Sequence, residues 1–190
     1  MTGHAALVIA GGLSRRMGAD KATLLLDGRP LLWHAVRACA GSHAVVVVGP
    51  ARFAALVEGF DAHFAREDPP GGGPAAGIAA GVAALGEDTE TVQLLPCDLV
   101  DPAGLVRRLD ETAWSEAQAL VPVDEQGWPQ FLYGRYRLAA LRDAVAGPVR
   151  DVSVRRLLRD LPRREVEVPT GLLRDVDDPG QAAEAGITLP

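Results

Sequence analysis

Apolar residues along this chain gather in short blocks bounded by glycine, proline and acidic residues, and most blocks carry no internal alternation. The first spans residues 5–9 and stops at Gly11 and Gly12. The barest spans 44–48, one alanine followed by four valines, which is the composition of a strand covered on both faces. Between the two, Leu31, Leu32, Ala35, Val36 and Cys39 recur at helical spacing behind Pro30 and predict a helix that ends near Gly41. Strand, helix and strand in that order make a parallel β-α-β unit. The alternation continues with a short helix over 51–57, a strand over 63–66, a helix of small residues over 75–85 and a strand over 91–95. A helix then starts near Pro102, with Asp101 at its cap and Leu105, Val106 and Leu109 on its buried face, and a strand follows over 119–123. Residues 124–127 read as a hairpin turn with 131–136 returning antiparallel, before helices over 138–145 and 153–160 and a strand over 165–168. The expectation is a single domain over 1–190: a three-layer α/β/α sandwich, Rossmann-like, with a mostly parallel central sheet of about seven strands.

Candidate chemistry begins where the first block ends. Residues 10–21 read Ala-Gly-Gly-Leu-Ser-Arg-Arg-Met-Gly-Ala-Asp-Lys, so a strand feeds a turn whose backbone N–H groups are unobstructed by side chains. Such a turn is a concave donor surface for an anion, and Ser14, Arg15, Arg16 and Lys21 add a hydroxyl and three positive charges to it. A polyphosphate is the ligand this predicts. Gly11, Gly12 and Gly18 fit neither the dinucleotide fingerprint nor the Walker loop, so neither assignment follows.

Composition sharpens the reading of one residue. The chain holds eighteen arginines and a single lysine, Lys21. A compact ammonium on a flexible stem reaches a phosphate oxygen in a narrow site where a planar guanidinium does not. As an exposed loop residue it is expected to add little to stability. The formal charge of −6 argues against non-specific nucleic-acid binding. An acidic protein that handles polyphosphate concentrates positive charge locally or borrows it from a metal ion. Cys39 and Cys97 are far apart and lack metal-ligand spacing, which suits a reducing compartment. With no signal-like segment and no apolar run of membrane length, the expectation is a cytoplasmic protein without membrane or nucleic-acid partners.

Three further stretches join the first loop in a recognisable pattern. Gly28, Pro30 and Leu31 follow it, Gly73-Pro-Ala-Ala-Gly77 opens the small-residue helix, and Pro96-Cys97-Asp98 ends the strand over 91–95. The whole resembles the nucleotidyltransferases that activate small phosphorylated molecules, and the molybdenum cofactor guanylyltransferases most closely. The resemblance implies the nucleotidyltransferase fold and transfer of GMP from GTP to molybdopterin, a phosphorylated acceptor, with release of pyrophosphate. It also implies a Mg2+ cofactor and transient contact with the proteins of molybdenum cofactor assembly.

Carried onto this chain, it sets the nucleotide against Ile9, Ala10, Gly11, Gly12, Ser14 and Arg15, with Gly73 and Gly77 in the helix beneath it. Arg16 and Lys21 neutralise its phosphates, Asp68 orients the nucleoside, and Asp98 holds the metal. Where the family closes with two asparagines around a hydrophobic residue, this chain has Asp175 and Asp177, and it contains no asparagine anywhere. Asp177 is the expected second metal ligand, with Asp175 as the alternative. Trp128, Pro129, Gln130, Arg135 and Arg137 are candidates for the acceptor side, and the basic helix with Arg155, Arg156 and Arg159 is another. The same residues leave open a cytidylyltransferase for the same cofactor, transfer to phospholactate or a sugar phosphate, and a nucleotide-binding module without catalysis.

Overall fold

The computed structural model describes residues 3–11, 17–114 and 116–190. Strand β1 (Gly3–Ile9) leads into the glycine-rich loop, and a small hairpin, β2 (Leu25–Leu26) and β3 (Arg29–Pro30), leads out of it to helix α1 (Leu31–Ala38). Then come β4 (Ala44–Val48), β5 (Ala62–Ala65), α2 (Pro74–Ala83), β6 (Thr89–Pro96) and α3 (Pro102–Asp110). The remainder is β7 (Ala119–Val123), β8 (Arg135–Arg137), α4 (Leu138–Val145), α5 (Val154–Leu158), β9 (Arg163–Glu167) and α6 (Pro179–Glu184). A seven-stranded sheet runs in the order β5-β4-β1-β6-β8-β7-β9, and β8 alone lies antiparallel to its neighbours.

Alternation along the buried strands splits the core into two layers. Ala6 and Val8 of β1, Val45 and Val47 of β4 and Leu95 of β6 meet α1 and α3 through Leu32, Val36, Leu105 and Leu109. Ala5, Leu7 and Ile9, Val46 and Val48, and Val92 and Leu94 face the other way, onto Ile78 and Val82 of α2 and Leu138 and Leu141 of α4. This is the sandwich the apolar blocks predict. The four valines of β4 are buried because each face of the sheet has its own helical layer. Asp101 caps α3 as expected, its Oδ1 accepting from the Gly104 N–H at 2.8 Å.

Two local expectations change. Residues 51–57 form a 3-10 helix, not an α-helix. The hairpin turn at 124–127 is present, with the Gly127 N–H donating to the Asp124 carbonyl at 2.9 Å, and the return starts at once, Pro129 bridging Val123 and the Gln130 N–H donating to the Pro122 carbonyl at 2.8 Å. A 3-10 turn at Phe131–Tyr133 then interrupts the return before β8 begins. Gly134 re-enters the sheet where space is tight: a Cβ there would lie 2.9 Å from the Leu120 carbonyl oxygen and 2.9 Å from the Tyr136 ring.

Gly134→Ala should therefore lower the free energy of unfolding by about 1–3 kcal/mol, because the clash is with backbone and a fully buried ring. At Gly171, where an added methyl meets open space, the same change should stay within about 0.5 kcal/mol. Urea unfolding of the two variants checks this, and equal midpoints would contradict it.

Candidate active site

In an open α/β sheet the ligand crevice lies at the C-terminal ends of the parallel strands. Here β1, β4 and β6 end in register, Ile9 opposite both Val48 and Pro96, and the Cys97 N–H donates to the Ile9 carbonyl at 3.0 Å. That bond sets Asp98 beside the start of the glycine-rich loop. A cleft of about 490 Å3 opens at this edge, lined on one side by Ile9, Ala10, Gly11 and Pro96 and on another by Leu132 and Tyr133. Asp20, Lys21, Asp98, Asp175 and Asp177 supply its charged groups among the described residues.

Lys21 opens the 3-10 turn Lys21–Thr23, which is pinned by the Thr23 hydroxyl and N–H, both donating to the Asp20 carbonyl. Its ammonium donates to Asp98 Oδ2 at 2.8 Å and to Asp177 Oδ1 at 2.5 Å. With 17% of its side chain exposed, Lys21 is not the solvated loop residue expected from the sequence. Burial works against its charge, but the bonds from Asp177 and Asp98 outweigh it and hold the pKa above the usual lysine value.

The C-terminal carboxylates arrive by backbone pairing. After Asp98 the chain runs beside residues 174–175, Leu99 bridging Asp175 and the Val100 N–H donating to the Arg174 carbonyl at 2.9 Å. Behind this pairing a separate apolar cluster packs Met17, Leu24 and Leu31 against Val176, Ala182 and Ile187, which ties α6 to the segment that carries Lys21. Asp178 caps α6 through the N–H groups of Gly180 and Gln181, with Pro179 as the first helical residue.

One ligand oxygen from each of Asp98, Asp175 and Asp177 lies within 4.8 Å of the others, so the three carboxylates can hold a divalent metal ion between them. The Tyr133 hydroxyl donates to Asp175 Oδ2 at 3.2 Å, and burial pushes its own pKa up, so it stays a donor. Cys97 is buried beside the cleft and its thiol pKa is likewise pushed up, first by burial and then by the Asp98 charge, which removes it as a nucleophile.

Of the residues the sequence nominates, Ile9, Ala10, Gly11, Lys21, Asp98, Asp177 and the alternative ligand Asp175 meet in the cleft. Gly12, Ser14, Arg15 and Arg16 lie outside the described residues. Gly73 is the N-cap of α2 and does not line the cleft, although its neighbour Pro74 does. Gly77 is buried against the sheet, where a Cβ would stand 3.2 Å from Val48, so its smallness serves helix packing. Asp68 is exposed and away from the cleft lining.

The acceptor candidates divide similarly. Arg135 is buried, with its guanidinium on Asp110 at 2.7 Å and on Gln93, and Arg137 reaches Glu90 and stacks on Trp114. Both sit on the part of β8 opposite 91–93, below the cleft, so neither is placed for an acceptor there. Trp128 is 58% exposed beside Arg155 and does not line the cleft. Leu132, Tyr133 and Asp20 line it without having been nominated. Only the aromatic richness of 128–136 hinted at the first two.

Asp175 carries a raised pKa, caused first by burial and then by the charges of Asp98 and Asp177, which the Tyr133 bond and Lys21 only partly offset. A carboxyl that binds its proton more tightly when folded stabilises the fold below its ordinary pKa of about 3.9 and loses that contribution as pH rises through the folded value. At neutral pH its ionised form is therefore a cost. Asp175→Asn should raise the melting temperature at pH 7 in chelator by a few degrees, with the advantage vanishing as pH falls toward about 4. A variant less stable than the parent at pH 7 would contradict this.

The comparisons with known proteins agree with the geometry. The MobA-like NTP transferase domain matches residues 6–166. A Synechococcus elongatus protein named probable molybdenum cofactor guanylyltransferase is 36% identical over 143 residues, covering 71% of this chain and 72% of that one. A Haloferax mediterranei protein of the same name is 37% identical over 116 residues, covering 57% of this chain and 54% of that one, so the matched region spans about half of the Haloferax protein. Among solved structures, a nucleotidyl transferase from Methanothermobacter shares the fold with a TM-score of 0.73 at 22% identity over 96% of this chain and 95% of that one. With a family model matching residues 6–166 and a relative 36% identical over 71% of its length, this chain belongs to the MobA-like NTP transferase family.

Proposed function

We propose that this chain transfers GMP from GTP to molybdopterin and releases pyrophosphate. The observation that carries the reading is the meeting of Lys21 with Asp98, Asp175 and Asp177 in one cleft, in a chain 36% identical to a protein named as a molybdenum cofactor guanylyltransferase. In the reaction a phosphate oxygen of the acceptor bonds to the α-phosphorus of GTP, the bond from that phosphorus to the bridging oxygen breaks, and pyrophosphate leaves with the electron pair. Such a transfer needs positioning and charge neutralisation more than covalent help.

Each part of the cleft has work in that step. The Gly11 backbone lines the cleft where the phosphates would sit, and the family resemblance gives Gly12, Ser14 and Arg15 the same task. Lys21 and Arg16 meet the charge that grows on them. Carboxylate oxygens are hard donors that suit magnesium, and Asp98 with Asp177 would hold it, Asp175 standing in reach. Bound there, magnesium neutralises phosphate oxygens and supplies several kcal/mol of transition-state stabilisation. Tyr133 fixes the orientation of Asp175. Ile9, Pro96 and Leu132 give the cleft an apolar wall that limits water at the reacting phosphorus. Asp68, exposed at the end of the segment after β5, has no part in the reading.

Pyrophosphate release with molybdopterin and magnesium tests this. GTP should support turnover at least about tenfold faster than CTP, a difference of roughly 1.4 kcal/mol in transition-state binding. Asp98→Ala should lower it by about 100-fold or more, and Asp98→Asn, which keeps one oxygen ligand, should leave a weak activity that rises with added magnesium. Faster turnover with CTP would move the assignment to cytidylyl transfer. Full activity in Asp98→Ala would remove the cleft from the chemistry.

A further inference from the structure

Lys21 does not merely stand near the carboxylates; its ammonium bonds to two of them at once, Asp98 Oδ2 at 2.8 Å and Asp177 Oδ1 at 2.5 Å. Both residues also belong, with Asp175, to the group in which one carboxylate oxygen from each lies within 4.8 Å of the others. A point from which one cation reaches both is the point a second cation would need. We infer that Lys21 and a divalent cation exclude one another on Asp98 and Asp177, and that a polyphosphate is the exchange partner that draws the ammonium away and lets the cation in. The inference rests on the reading of Asp98 as a metal ligand. It adds an order of events: the protein takes metal poorly by itself and well as a metal–nucleotide complex.

The physical chemistry favours exchange over coexistence. An ammonium and a divalent ion on the same two oxygens repel, and neither oxygen keeps its full acceptor capacity for both. Lysine is suited to leave because its four-carbon stem is flexible and its charge is a point that can re-aim, unlike a planar guanidinium locked on a carboxylate. The strand-end backbone at Ile9 to Gly11 lies in the same cleft, so phosphates seated there are within the stem's compass. Asp175 is better placed to stay, since its partner is the Tyr133 hydroxyl and not Lys21.

Electron paramagnetic resonance of free Mn2+ measures the affinity directly, without turnover. Lys21→Met and Lys21→Gln remove the charge while keeping a side chain of similar length. Both should bind Mn2+ at least about tenfold more tightly than the parent chain in the absence of nucleotide, the size expected when one unit charge leaves the ligand cluster. Both should also gain more melting temperature from Mn2+ than the parent does, which reads the same competition in stability. With a GTP analogue carrying a methylene between its α- and β-phosphorus, the difference between parent and variants should narrow. Equal or weaker Mn2+ binding in both variants overturns the inference, as does a difference that the nucleotide leaves unchanged. Asp98→Ala separates the two failures. If it abolishes Mn2+ binding while Lys21 makes no difference, only the exclusion falls. If Asp98→Ala binds Mn2+ as the parent does, the metal reading falls with it.

Discussion

Three carboxylates brought within a few ångströms of one another need a cation, and the arrangement of this cleft follows from that requirement. Two unit charges about 4 Å apart repel by about 4 kcal/mol at the dielectric of a protein surface, less where solvent screens them. Asp98, Asp175 and Asp177 stay together because Lys21 is there to hold two of them and Tyr133 the third. The ammonium joins positions 77 and 156 residues away along the chain. The glycine-rich loop, the end of β6 and the segment before α6 thus converge on one charge. What keeps the convergence in place is apolar: Met17, Leu24 and Leu31 from the first part of the chain pack on Val176, Ala182 and Ile187 from the last. The Leu25 and Thr188 backbones close the same seam with reciprocal hydrogen bonds at 2.8 and 2.9 Å.

The sheet decides where this happens. Parallel strands that end in register deliver their following loops to one edge, and β1 and β6 are neighbours, so a loop of small residues and a strand-ending aspartate have to meet. The antiparallel β8 does a different job. It carries Arg135 and Arg137 to the lower part of the sheet, where they pair with Asp110 and Glu90, while the 3-10 turn before it brings Leu132 and Tyr133 to the cleft. One segment thus supplies both a wall of the site and an ion pair far from it.

Legibility in the sequence tracked how local the determining physics is. The bounds of β4 are readable to the residue because four valines admit little but a strand buried on both faces, and the cap at Asp101 is readable because a carboxylate before proline has a short-range reason to be there. Asp98 and Lys21 were legible as a motif. Tyr133 was not, since its approach to Asp175 depends on a 3-10 turn that interrupts the hairpin return. Nor were the different partners of Asp175 and Asp177, one carboxylate on the tyrosine and one on the lysine. Arg135 and Arg137 misled because a basic residue near an aromatic hairpin looks the same from the sequence whether the strand carries it toward the cleft or away. The burial of Lys21 was hidden for a similar reason: its partners come from distant parts of the chain.

On the proposed reading, the nucleotide and its metal meet at Asp98 beside the glycine-rich loop. The most direct test is a crystal structure with Mn2+ and the α,β-methylene analogue of GTP, read by the anomalous signal of manganese. The account predicts a manganese peak coordinated by a carboxylate oxygen of Asp98 and by phosphate oxygens of the analogue, with the Lys21 ammonium turned from Asp98 onto a phosphate. A manganese peak away from Asp98, or phosphates bound outside the cleft between Gly11 and Tyr133, would contradict it.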